Sequence, residues 1–74
     1  MNANEIAIAT INEAKSVPNE PITPTTENAN CIVVIFDGEK FSINDNGEGV
    51  GELDEASAIR VLAENIQQNM DLFI

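Results

Sequence analysis

The clearest pattern in the chain lies in residues 31–43, CIVVIFDGEKFSI, where two apolar runs flank Asp37-Gly38. Asp-Gly between such runs is a hairpin signal, because glycine accepts the positive φ of a tight primed turn. A two-residue turn pairs Phe36 with Glu39, Ile35 with Lys40, Val34 with Phe41, Val33 with Ser42 and Ile32 with Ile43. One face then carries Ile32, Val34, Phe36, Phe41 and Ile43, the expected core. The other carries Cys31, Val33, Ile35, Lys40 and Ser42. This second face is half apolar and predicts a further layer, either the first helix or a second subunit.

Residues 44–55, NDNGEGVGELDE, allow two readings. The first is a second hairpin, because Asn46-Gly47 is the strongest two-residue turn signal. It pairs Asp45 with Glu48, Ile43 with Val50 and Phe41 with Glu52, and it places Val50 on the core face. Gly49 and Gly51 weaken the strand and mark a bulge or a close approach. The second reading is calcium binding. The segment resembles in part the EF-hand loop, with Asn44, Asn46, Glu48, Gly49 and Glu55 at its places 1, 3, 5, 6 and 12. It departs from that loop in having Asn at the first place, Gly51 at the eighth, strand-like KFSI before it and no second loop. The hairpin is the favoured reading, and no metal is expected.

Periodicity changes on either side of this meander. Residues 54–68, DEASAIRVLAENIQQ, read as a helix capped by Asp54, with Leu53 stapled to Ala58. Ile59, Leu62, Ala63 and Ile66 form its apolar stripe, which Met70 and Phe73 continue if the helix runs on. Arg60 and Glu64 are spaced as an i,i+4 pair. Residues 4–16 read as a first helix capped by Asn4, with Glu5 and Lys15 complementing its two ends. Ile8, Ile11 and Lys15 follow one helical spacing, and Ala7, Ile11 and Ala14 another. Alternation at Ile6, Ile8 and Thr10 keeps a strand open as the alternative. Between them, residues 17–30 carry Pro18, Pro21 and Pro24 at every third place, which predicts a stiff polyproline-like connector. The expected fold is one small α+β domain over 1–74: helix, Pro-rich connector, three-stranded antiparallel meander, helix.

At 74 residues such a domain buries only about 60% of its unfolded surface. Cys31 is alone and histidine is absent, so neither a disulfide framework nor a zinc site is expected. Cys31 reads as a small core residue. The start, MNANEIAIAT, has no basic or continuous apolar stretch of the secretory kind, and no run approaches a membrane span. The expected location is therefore cytoplasmic.

Charge sharpens the functional reading. Thirteen acids face three bases, Lys15, Lys40 and Arg60, for a net charge of −10. Such a chain repels phosphate and anionic membranes, so direct nucleic-acid or membrane binding is not expected. Without His or Tyr, and with no base beside Ser16, Ser42 or Ser57, no catalytic pair is legible, and neither enzyme activity nor a cofactor is expected. The attractive targets are basic protein surfaces, met by Asp45, Glu48, Glu52, Asp54, Glu55 and Glu64. In size, charge and lack of catalytic residues the chain is similar in kind to phage-encoded inhibitors that mimic DNA, including some anti-CRISPR and anti-restriction proteins. No motif carries that analogy, and it implies no family. It implies an inhibitor occupying the basic surface of a nucleic-acid-processing complex.

Two alternatives remain open. One is an obligate homodimer through the apolar second sheet face. The other rests on residues 69–74, NMDLFI, with Met70, Leu72 and Phe73 as anchors. This segment resembles the peptide by which bacterial replication and repair proteins bind the β sliding clamp, Gln-Leu-Asp/Ser-Leu-Phe. Met70, Asp71, Leu72 and Phe73 match, and Asn69 stands in place of Gln. Gln67, Met70 and Phe73 also echo the eukaryotic clamp motif, with Ile74 where an aromatic is usual.

Overall fold

The computed structural model describes residues 2–24 and 31–71. Its elements follow the predicted order: α1 (Ala3–Ser16), β1 (Ile32–Phe36), β2 (Phe41–Asp45), β3 (Glu48–Leu53) and α2 (Glu55–Asp71). The strands form one antiparallel sheet in the order β1-β2-β3. The chain is a small α+β domain, and no helix of the described residues is long and apolar enough to cross a membrane.

Helix α1 is set by a capping box, which places its cap at Asn2 and not at Asn4. The Asn2 side chain accepts from the Glu5 backbone N–H at 2.8 Å, and the Glu5 carboxylate accepts from the Asn2 N–H at 3.1 Å. Two end groups that helical bonding leaves orphaned are thereby satisfied. The helix stops before Pro18, which has no N–H to continue it. Ala3, Ile6, Ala7, Thr10, Ile11 and Ala14 are buried, so the Ala7–Ile11–Ala14 spacing marks the inner face and Ile8 lies outside. Thr10 satisfies its hydroxyl by donating to the Ile6 carbonyl at 2.7 Å.

The first hairpin differs from the two-residue expectation. Its loop is Asp37–Lys40, and the register is Phe36↔Phe41, Ile35↔Ser42, Val34↔Ile43, Val33↔Asn44 and Ile32↔Asp45. The reason is the Asp37 carboxylate, which accepts from the Glu39 and Lys40 N–H groups at 2.8 and 2.7 Å, while Gly38 takes φ +100°. The shift is two residues, and two residues preserve the side-chain faces. Ile32, Val34, Phe41 and Ile43 are therefore buried as expected, and Phe36 stacks on Phe41 with centroids 4.5 Å apart.

The second hairpin turns at Asn46 (φ +56°) and Gly47 (φ +93°), with Asp45↔Glu48 and Ile43↔Val50 as predicted. Beyond Val50 a bulge intervenes, so Phe41 faces Leu53 and not Glu52. Glu52 itself takes φ +57°, a left-handed position where glycine is the usual residue. Val50 does not join the core, for half its surface is exposed.

Both helices pack on the same sheet face. α1 lies along α2 and touches β1, while α2 touches β2 and β3. Ala58, Leu62 and Ile66 are fully buried in the shared core, with Ile59, Val61, Ala63 and Leu53 packed around it. The first helix thus does not cover the second sheet face, where Val33 and Ile35 are half-buried. Residues 17–24, the described part of the connector, are not a free polyproline rod, and residues 25–30 lie outside the described residues. Residues 17–20 turn at Asn19 (φ +69°), and Ile22 exchanges backbone hydrogen bonds with Val34 at 2.9 and 2.7 Å. The outer edge of β1 is thereby closed.

Truncating Leu62 to Ala is expected to cost about 3 kcal/mol, while Val50→Ala changes stability by less than about 0.5 kcal/mol. Urea denaturation followed by circular dichroism checks the contrast.

Candidate functional site

The six acids singled out in the sequence do not form one patch. Strand β3 separates Glu48 from Leu53 by about 17 Å along the chain, and α2 then runs back toward the hairpin tip. Glu52, Asp54 and Glu55 stand at the start of α2. Asp45 and Glu48 stand at the tip beside the last turns of α2, and Glu64 lies on α2 next to the first turn of α1.

The α2-start end gathers the bases. Lys15, in the last turn of α1, pairs with Glu55 at 2.8 Å, the one ion pair among the described residues. The spacing of Arg60 and Glu64 therefore does not produce an ion pair; both side chains are exposed. Asp54 caps α2 by accepting from the Ser57 N–H at 2.8 Å. That N–H, with the Ser57 hydroxyl, holds the Asp54 carboxyl below the usual carboxylate range, and the charges of Lys40 and Arg60 add to the effect. Lys40 also shares a shallow hollow with Asp37 and Glu52. All three basic side chains thus stand close to acids of this one end.

The tip end has no base in its lining. Two adjoining hollows, each of about 320 Å³, share Asp45 and Glu48. Their other polar walls are Asn46, Asn65, Gln68 and Asn69, and Ile43 and Val50 supply the apolar floor of one. Asp45 is half-buried and tied inward. It accepts from Asn69 Nδ2 at 3.2 Å and from the Cys31 thiol at 3.4 Å, joining the tip to the last turns of α2. Glu48 and Glu64 are exposed. The last turn of α2 carries no basic residue, so the negative end of its dipole adds to this pole.

Cys31 is exposed, contrary to the core role expected for it, because it precedes β1 and turns toward Asp45 and Asn69. Partial desolvation and the Asp45 carboxylate raise its pKa, so it serves as a hydrogen-bond donor and not as a thiolate. The amides of Asn65, Gln68 and Asn69 were not picked out in the sequence as site residues. Their i,i+3 and i,i+4 spacing beside Ile66 was the available signal, and only the fold shows which of them face the tip.

Residues 44–55 form a hairpin, a strand and a helix start, not a loop wrapped about one point. Asn44 spends its side chain on the Gly47 N–H at 2.9 Å. Among the described residues no group of three acidic, histidine or cysteine side chains is placed to hold a metal ion. Of the C-terminal peptide, Asn69–Asp71 continue α2, with the Asn69 amide donating to Asp45 and to the Asn65 carbonyl. The Met70 side chain, Leu72 and Phe73 lie outside the described residues. Comparison with protein-family models, curated proteins and solved structures finds no match.

Stability should depend on pH in two opposed ways. Falling pH first relieves the repulsion of a body with net charge −10, which raises the melting temperature. Asp54, and Asp37 through the Lys40 and Glu39 N–H groups, have lowered folded-state pKa values. Their stabilisation is complete above the unfolded carboxylate value, about pH 4, and is lost as pH falls through the lowered folded values. Melting curves should therefore peak at mildly acidic pH, and Asp54→Ala together with Asp37→Ala should flatten the acid limb.

Proposed function

We propose that this chain is a non-enzymatic acidic binding module whose working surface is the end formed by the β2–β3 tip and the second half of α2. The observation that carries the reading is the separation of charge. All three bases stand close to the acids at the α2 start, and among the described residues no base lines the hollows that hold Asp45 and Glu48. A surface of that kind attracts a basic protein surface, and carboxylates spaced over it can stand in for phosphates. The partner class that fits is a protein with a nucleic-acid-binding face, which the module would occupy as an inhibitor. Binding of this type associates fast and weakens steeply with salt.

Affinity capture from bacterial lysate at low and high salt, with mass spectrometry of the retained proteins, tests the reading. The expected result is a nucleic-acid-processing protein held at low salt, released at high salt and displaced by DNA. With that partner in hand, Glu48→Lys with Glu64→Lys should weaken binding by about tenfold or more without lowering the melting temperature. Glu55→Lys, at the base-bearing end, should have a smaller effect. Equal effects at the two ends would sink the assignment of the surface.

A further inference from the structure

Among the described residues, no strand pairs with the outer edge of β3. On β1, Val34 turns its backbone N–H and carbonyl outward to Ile22. Asn46 N–H donates to the Cys31 carbonyl, and Asp37 N–H to the Lys40 carbonyl. These bonds fix the alternation, so Ser42 and Asn44 of β2 bond toward β1, while Ile43 and Asp45 bond toward β3. Their partners Val50 and Glu48 face inward. The groups that point away from the sheet on β3 are those of Gly49 and Gly51.

Both outward positions are glycines, so no side chain stands beside the unpaired backbone groups. Gly49 has a reason within the fold, since a Cβ there would meet Asn44 Nδ2 at 3.1 Å. Gly51 has none. It has no positive φ, and a Cβ would meet nothing within 4 Å. Glycine in a strand marks a bulge or a place where another backbone comes close. Beside this edge Val50 is half exposed, Glu48 shares its hollow, and Glu52 flanks the opposite sheet face with Ser42 and Gly51.

We propose that the free edge of β3 takes up an extended, Lys- or Arg-rich segment of a partner protein as a fourth strand. The outward groups of Gly49 and Gly51 supply the main-chain hydrogen bonds, Val50 packs against an apolar residue of the segment, and Glu48 and Glu52 pair with its bases on the two faces. The charge of the occupant rests on the acidic-binding reading above; the strand geometry does not. A second copy of this chain is the wrong occupant. Twofold pairing of β3 with itself would bring together two bodies of net charge −10 along their acidic edges. The same acids that repel a copy attract a cationic strand.

The probe is the peptide acetyl-Lys-Lys-Val-Lys-Val-Lys-Lys-amide, with two analogues N-methylated at the odd or the even residues. All three keep the charge, and each analogue blocks one edge of the peptide. Binding is read by isothermal titration calorimetry at low salt. The expected result is a loss of about tenfold or more for one analogue and little for the other, because one peptide edge faces β3. Equal affinity for all three would overturn strand addition and leave the acidic-end reading standing. No binding by any of them would overturn both. Sedimentation at twice the chain mass, abolished by Gly51→Pro, would show that a second copy holds the edge and would also overturn the proposal.

Discussion

The structure depends on two helices lying close enough together to share one face of a three-stranded sheet. Alanine makes this possible. Ala7 and Ala14 of α1 and Ala58 of α2 are fully excluded from solvent, and around them Ile11, Leu62 and Ile66 meet Ile32 and Val34 of the sheet. Small residues let the helix axes approach, and the branched residues fill what remains. A chain of this length has no second core to fall back on, so burial of this one layer supplies most of the driving force.

That arrangement determines where the surface can work. With both helices on one side, α1 covers β1, α2 covers β2, and β3 is left at the margin with Val50 half exposed. The connector closes the β1 edge through Ile22, and among the described residues no strand pairs with the outer edge of β3. Antiparallel helices also sort the charge. The end of α1 brings Lys15 to the start of α2, and the first hairpin loop brings Lys40 to the same end. The tip of the second hairpin, at the far end of β3, is left with acids and amides.

Much of the fold was legible because its signals are local. Asn46-Gly47, the Asp54 cap and the Ala7–Ile11–Ala14 spacing each name their own geometry. The core face of β1 and β2 was legible even though the register was not, since an error of two residues leaves every side chain on its side. Asp37-Gly38 suits both a two-residue and a four-residue loop, and the choice falls to the Asp37 carboxylate, which captures two backbone amides. The bulge at Glu52 was less legible, because the residue in the left-handed position is a glutamate while its neighbour Gly51 sits in ordinary backbone. The candidate site was only partly legible. Its acids could be counted, but which of them keep a base nearby depends on tertiary contacts such as Lys15 with Glu55, 40 residues apart.

Whether the outer edge of β3 is open beside the acidic end can be read by residue-resolved amide hydrogen exchange on the dilute chain. Ile22, Val34 and Val50 should be protected, and Gly49 and Gly51 should exchange close to the unfolded rate. Slow exchange at Gly49 and Gly51 in the isolated monomer would mean that the edge is already filled, and would contradict an open edge.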